Sequence, residues 1–128
     1  MTYQYSVAVR NAALDAREAA IGVSPILKLF SGVEPANCAA ADPAGLLATI
    51  NLPSDWMAAA SAGVKAKAGV WSGVGSAAGI VASWRIYDSG LVACHIQGNI
   101  ADMIFDNTNI TNGQTVTINT FQWTAGNA

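Results

Sequence analysis

Two β-type runs flank a turn in the stretch IVASWRIYDSGLVACHIQ, residues 80–97. In the first run, the even-numbered residues from Ile80 to Ile86 share one face of an extended chain, and the odd-numbered residues share the other. The tripeptide Asp88-Ser89-Gly90 follows directly and is typical of a tight turn. The second run, Leu91 to Gln97, is therefore expected to pair antiparallel with the first. This stretch predicts a β-hairpin and, with it, a β-rich fold.

A similar pattern continues from Pro25 onward, where short β-type runs are separated by Gly, Pro, Asn and Asp. In addition to the two hairpin strands, Ile80–Tyr87 and Leu91–Gln97, the predicted strands are Ile26–Ser31, Leu46–Leu52, Val64–Trp71, Asp102–Asp106 and Gln114–Trp123. Within residues 64–70, small apolar residues alternate with Lys65 and Lys67. This alternation predicts that the two lysines face solvent and that the apolar residues face the core.

The segment before these strands, residues 6–22, reads as a helix. Val7, Leu14 and Ile21 recur at a spacing of seven, and the alanines between them favour helix formation. Ser6 is the predicted N-cap, and Gly22 is predicted to end the helix. The narrow apolar seam suits docking on a flat surface, either the sheet of the same chain or a neighbouring copy.

A mainly β fold follows: an antiparallel β-sandwich, jelly-roll-like, with an N-terminal α-helix. At 128 residues the chain has the size of a single domain. We assign residues 1–128 to that domain, with the helix at 6–22 and the sandwich at 25–124, because few other closed solutions exist for so many short antiparallel strands. The segment from Glu34 to Gly45 lacks both periodicities and is predicted to be a long surface connection that can serve as an interaction loop.

The composition argues against several partners. The six basic residues are scattered, so no electrostatic footprint for nucleic acid is present. The chain lacks an apolar stretch of about 18 residues and an N-terminal signal pattern, which predicts cytoplasmic synthesis and no membrane partner. Only 11% of residues are charged and the net charge is −2, so copies repel one another weakly. For a protein made in the cytoplasm, we expect Cys38 and Cys94 to be free thiols rather than a disulfide.

The residues that carry chemistry form no recognisable site. His95 and Cys94 are neighbours on a predicted strand and point to opposite faces, so they cannot act together as base and nucleophile. The two cysteines and one histidine also lack the spacing of metal ligands. Residues Gly73 to Ala78 fit a loose dinucleotide pattern but precede a strand, so they are predicted to be a flexible loop. We predict no enzymatic activity, no cofactor and no metal.

The four tryptophans are the largest anchors in a chain rich in small residues. Core packing is the default interpretation, and contact with another subunit is the alternative. Trp71 and Trp123 are out of phase with the clearest core positions and are therefore predicted interface residues. The helix seam adds three more positions, Val7, Leu14 and Ile21. Exposed tryptophans would also suit a carbohydrate-binding module, and a cytosolic accessory domain of an enzyme is a further alternative.

Several phrases spread over almost the whole chain resemble those of small structural proteins of tailed bacteriophages. The phrases are Val9-Arg10-Asn11-Ala12 to Ile21-Gly22, Leu27-Lys28-Leu29, Glu34-Pro35-Ala36-Asn37-Cys38-Ala39, Leu52-Pro53-Ser54-Asp55-Trp56, Trp84-Arg85-Ile86-Tyr87-Asp88, Cys94-His95-Ile96-Gln97-Gly98 and Thr124-Ala125-Gly126-Asn127-Ala128. The resemblance implies a virion protein, either a capsid decoration (cement) protein or a tail-associated minor protein. Its implied partners are further copies of itself, in a homo-oligomer such as a trimer, and the major capsid protein or tail subunits. A receptor- or carbohydrate-binding tail module is the alternative role.

Overall fold

The structure is a computed structural model that describes residues 4–125. Within this range the chain forms one helix, α1 (Val7–Ile21), followed by short strands. The strands are β1 (Ile26–Phe30), β2 (Leu46–Asn51), β3 (Val64–Ala66), β4 (Ser72–Val74), β5 (Gly79–Ile80), β6 (Ser83–Tyr87), β7 (Cys94–Asn99), β8 (Met103–Phe105), β9 (Asn109–Ile110) and β10 (Thr115–Thr124). The fold is mainly β with antiparallel sheets, as the sequence predicts.

Helix α1 has the predicted end signals. The Ser6 hydroxyl accepts a hydrogen bond from the Val9 amide at 3.2 Å, and Gly22, at φ 95°, donates its amide to the Glu18 carbonyl. Leu14 is fully buried in the core of the same chain. The helix was expected to dock either on the sheet of its own chain or on a neighbouring copy. The burial of Leu14 shows that α1 packs against its own chain. No helix within residues 4–125 has the length and apolar character that crossing a membrane requires.

The first sheet has the strand order β2-β1-β6-β7 and contains the predicted hairpin as β6 and β7. The long strand predicted over Ile80–Tyr87 is wrong in its first part, because Gly79–Ile80 pairs with β9 in a separate two-stranded sheet. Ile80 is exposed and Val81 is buried, so the burial alternation is broken between β5 and β6. The return strand begins at Cys94 and not at Leu91.

The second sheet is built around β10, which pairs with β4 near its start, β8 in its middle and β3 at its end. The strand predicted over Val64–Trp71 is too long, because only Val64–Ala66 (β3) is strand and the next strand, β4, begins at Ser72 and pairs with a different part of β10. The predicted outward orientation of Lys65 is also wrong, since its side chain is 2% exposed. Helix α1 covers this position, and the Lys65 ammonium lies 2.6 Å from Asp15 and 2.7 Å from Glu18. A buried charge is tolerated there because it is paired.

The run Gly73 to Ala78 is not simply a flexible loop. Gly73 belongs to β4, and a Cβ at this position would lie 2.7 Å from Cγ1 of Ile50. A Cβ on Gly75 would lie 2.5 Å from the carbonyl oxygen of Thr111. These glycines permit close approach of β4 to β2 and of the following residues to the chain before β10.

The core draws on both larger sheets and centres on Phe121 of β10. The ring of Phe121 lies 5.3 Å from Trp84 in a T-shaped contact, 5.5 Å from Trp71 and 6.0 Å from Trp123. Trp56 stacks against the same group, at 5.9 Å from Trp71 and 5.6 Å from Trp123. Such tilted and edge-to-face contacts are favourable beyond the area that they bury. All four tryptophans therefore belong to one internal cluster.

Candidate functional site

The segment of residues 34–45 is an ordered excursion between β1 and β2. At its base, the Ser31 amide donates to the Gly45 carbonyl at 2.9 Å, and the Gly32 amide donates to the Ala44 carbonyl at 3.0 Å. The excursion continues from this base over one face of β6 and β7, where the Gln97 side-chain amide donates to the Pro35 carbonyl at 2.7 Å. A long connection without regular structure is thereby held against the sheet.

Arg85, in the middle of β6, is the principal anchor of this loop and is 2% exposed. Its Nη1 donates to the Ala40 carbonyl at 2.9 Å and to the Asp42 carboxylate at 3.0 Å. Its Nη2 donates to the Asn37 carbonyl at 3.0 Å, and both Nη2 and Nε donate to the side chain of Gln97. A guanidinium has five N–H donors, and these contacts employ all of them. Arg85 is therefore a positioning residue for the loop, with no donor left for an anionic ligand.

Tyr87, two residues further along β6, makes a second anchor. Its hydroxyl donates to the Asp42 carboxylate. Burial, together with this hydrogen bond, raises the pKa of Tyr87 to about 12, so the hydroxyl remains a donor at neutral pH. Burial lowers the pKa of Arg85, but hydrogen bonds with Tyr87 and Asp42 and the neighbouring Cys94 outweigh burial and raise it. The loop is thus fastened by two groups that keep their protonation state.

A cavity of about 500 Å³ lies between the loop and the β6–β7 hairpin. Its walls include Cys38 and the alanines that follow it on one side, and Val92 to Cys94 on the other. Both cysteines are free and half-buried. Burial raises the pKa of the Cys94 thiol to about 12, and a hydrogen bond with Cys38 adds to the shift. Both thiols therefore belong to one cavity, and the Cys94 thiol is protonated at neutral pH.

His95 lies away from these thiols. It lines a separate groove of about 330 Å³ with Arg17 and Trp123, and its Nε2 is 4.0 Å from the carboxylate of Asp88. The prediction that Cys94 and His95 face opposite sides is confirmed, because they line different cavities. Within residues 4–125, no three His, Cys, Asp or Glu side chains are grouped in a way that could hold a metal ion.

The predicted interface residues occupy different environments. Leu14 and Trp71 have no exposed surface, and Trp123 is 6% exposed, because all three belong to the core. A side chain without accessible surface cannot contact a second copy unless the fold rearranges. Val7 is 46% exposed, and Ile21 is half-buried against the core. Of the five predicted interface residues, only Val7 and Ile21 offer substantial apolar surface to a partner in this conformation, and their role as interface residues stays a prediction.

The turn between β6 and β7 presents apolar side chains that the sequence interpretation placed in a strand. Val92 is 84% exposed, and Leu91 is 44% exposed at φ 57°, a backbone region that bulky residues rarely adopt. Asp88 fixes the turn, since its carbonyl accepts from the Leu91 amide at 3.0 Å and its carboxylate accepts from the Val92 amide at 2.7 Å. We name residues 34–45 and 88–93 together the loop–hairpin surface. In the sequence, these exposed side chains are indicated by the apolar pair Leu91-Val92 directly after the turn residues Asp88-Ser89-Gly90.

The chain matches no protein-family model, no curated protein and no solved structure. The residues and contacts described above are therefore the basis for a proposed function. Among those, the loop–hairpin surface combines an anchored loop, a cavity and exposed apolar side chains.

Proposed function

We propose that the chain is a non-enzymatic structural protein of a bacteriophage virion, most simply a capsid decoration protein that acts by self-association and by contacts with the shell. The observation that carries this proposal is the loop–hairpin surface, where Val92 and Leu91 are held outward by a fixed turn. Exposed apolar side chains on a rigid frame are typical of sites of protein–protein contact.

The low charge of the chain supports the same proposal. With a net charge of −2, identical copies can approach one another at little electrostatic cost. In a symmetric lattice, each subunit makes the same weak contacts many times, and the sum of these contacts provides stable attachment. A rigid loop loses little conformational entropy when it binds, which favours assembly further. The expected partners are copies of this chain, in a trimer, and the major capsid protein.

For the architecture, we propose that the two larger sheets are the layers of a jelly-roll-like sandwich. The support is the contact between them: Trp84 of the first sheet meets Phe121 of the second within a shared buried cluster. Stacked sheets share one core of interdigitated side chains in the same way.

A tail-associated protein is the alternative placement, and the same contact surface would serve it. A carbohydrate-binding module has less support, since stacking on sugar rings requires accessible aromatic faces. All four tryptophans are at most 6% exposed. A glycan array with the purified protein tests this point, and we expect no bound sugar.

The test of self-association is size-exclusion chromatography with light scattering over a range of protein concentrations. We expect a species with three times the 13.1 kDa mass of the single chain at high micromolar concentration. The variant Val92→Asp places a charge on the loop–hairpin surface and is expected to shift the protein to monomer. The matched control is Val70→Asp, because Val70 is 73% exposed but lies in the β3–β4 connection.

Two outcomes would count against the proposal. One is a wild-type protein that stays monomeric throughout the concentration range. The other is an equal loss of the oligomer in both aspartate variants, which would mean that the loop–hairpin surface has no special part in association.

A further inference from the structure

The two cysteines come from segments that are distant in sequence and meet in one cavity. Cys38 belongs to the loop between β1 and β2, and Cys94 begins β7. Both line the cavity between the loop and the β6–β7 hairpin, and both are half-buried. The structure places them together although 55 residues separate them in the chain.

The backbone around each cysteine is held in place by hydrogen bonds between the same two elements. Next to Cys38, the Asn37 carbonyl accepts from Arg85 at 3.0 Å. Opposite Cys94 in the sheet lies Tyr87, whose hydroxyl donates to Asp42 of the loop. These anchors on β6 therefore hold the loop over the face of the sheet that carries Tyr87 and its cross-strand partner Cys94.

The pKa of Cys94 reflects the same placement of the two residues. The pKa of its thiol is raised to about 12 by burial first, and then by a hydrogen bond and charge interaction with Cys38. In the structure the Cys94 thiol donates to the Ile96 carbonyl at 3.5 Å. Two half-buried thiols that line one cavity on anchored backbones can be joined by a disulfide if their Cα atoms lie within about 7 Å of each other.

We propose that Cys38 and Cys94 form a redox pair that closes to an intramolecular disulfide when the protein meets an oxidising environment. Closure would join the loop covalently to β7 and fix the loop–hairpin surface. The chain is synthesised with both thiols reduced, and closure follows exposure to a small-molecule disulfide such as oxidised glutathione. This inference is independent of the proposed function, because it depends only on the placement of the two residues in one cavity.

The exchange proceeds in two steps with glutathione disulfide as the oxidant. The thiolate of Cys38 attacks one glutathione sulfur, the S–S bond of the reagent breaks, and one glutathione leaves as a thiolate. Cys94 then loses its proton and attacks the Cys38 sulfur of the mixed disulfide, which releases the second glutathione. The two thiol protons end on the two glutathione molecules. The cysteines lose two electrons in total, and the reagent gains them.

The raised pKa of Cys94 predicts which step limits the rate. Attack on the mixed disulfide requires the Cys94 thiolate, which is scarce at neutral pH. The rate of closure should therefore increase with pH over the range in which the fold is stable. The cross-link spans residues 38–94, and cross-linking a long stretch of chain restricts the unfolded state. We expect the midpoint of thermal unfolding to rise by roughly 5–15 °C on closure.

The experiment incubates the folded wild-type protein with oxidised glutathione and measures intact mass and linked peptides without reductant. The expected result is the loss of two hydrogen atoms, a peptide pair joined through Cys38 and Cys94, and a thermal shift that a reductant reverses. Cys38→Ser and Cys94→Ser should each show neither the link nor the shift. Peptide mapping needs only the wild-type protein, so it decides the question even if one of these variants fails to fold.

Three results would overturn the inference. The first is a wild-type protein that carries two glutathione adducts and no internal link. The second is a link between two chains in place of one within a chain. The third is a folded protein whose thiols stay unmodified while the same thiols react after unfolding.

Discussion

Replacing Arg85 by methionine removes the principal anchor of the 34–45 loop and keeps a side chain of similar length in the sheet. The wild-type guanidinium donates to the carbonyls of Asn37 and Ala40, to the Asp42 carboxylate and to the Gln97 side chain. In the variant, all of these acceptors lose their charged hydrogen-bond donor. The loop is then expected to detach from β6 and β7 and to satisfy its carbonyls with water.

The expected loss of stability depends on how exposed the hydrogen-bond acceptors are. Hydrogen bonds to a charged group contribute about 1.5–3 kcal/mol each when they are buried, and less when water can replace them. The carboxylate of Asp42 is 41% exposed, so its ion pair with Arg85 contributes little. Detachment of the loop also limits the loss, because the freed carbonyls are hydrated. We therefore expect Arg85→Met to lower the free energy of unfolding by about 2–4 kcal/mol.

Urea denaturation measures this change, and hydrogen exchange locates it. We expect faster exchange across residues 34–45, with little change in β10. The matched control is Arg17→Met, since Arg17 is exposed on α1 and its replacement should change stability by less than about 0.5 kcal/mol. Equal, small effects of the two substitutions, or exchange that is unchanged in the loop, would refute the role of Arg85 as an anchor.

Two further predictions concern other parts of the fold. The pKa of Asp15 is lowered from 3.8, first by the hydrogen bond from Lys65, so this contact stabilises the fold above that pH and is lost as the pH falls through the lowered value. Unfolding measured at several pH values should show a shallower acid-side decline in Lys65→Met than in wild type, and identical slopes would contradict the pairing. Gly75→Ala places a Cβ 2.5 Å from the Thr111 carbonyl and should cost about 1–3 kcal/mol, whereas Gly90→Ala, which meets only an ordinary contact at 3.5 Å, should be nearly neutral. Similar denaturation midpoints for both alanine variants would show that the chain near Gly75 is not tightly packed.

Local features of the fold were predictable from the sequence. The limits of α1 follow from Ser6 and Gly22, which cap the helix through contacts within a few residues. The β6–β7 hairpin follows from Asp88-Ser89-Gly90 between two β-type runs. Each of these signals depends on residues that are close together in the chain, so it is visible in the sequence pattern.

Features that depend on distant residues were not predictable in the same way. The alternating pattern around Lys65 allows either face of the strand to point to the core. The acidic side chains that pair with Lys65, and so make its face the buried one, lie on α1, about 50 residues earlier. The same holds for Trp71 and Trp123, because their burial depends on contacts with Trp56 and Phe121. The apolar face of a short strand is therefore fixed by what packs on it.

The candidate site likewise contains one feature that the sequence indicates and others that depend on distant residues. The sequence indicates a long connection at residues 34–45, because the segment lacks regular periodicity. It does not indicate that Arg85 lies beneath this connection, since an arginine within an alternating strand is usually a solvated side chain. It also leaves the meeting of Cys38 and Cys94 undetermined, because their approach results from the path of the loop over β6 and β7.

We propose that this chain is a built-in part of a virion. The most direct test is quantitative mass spectrometry of density-gradient-purified phage particles from cells in which the chain is produced from its native genetic context. We predict that the chain sediments with the particles, resists washing with salt, and is present in a fixed ratio to the major capsid protein. Recovery of the chain only in the particle-free fraction, with none in intact particles, would contradict the account.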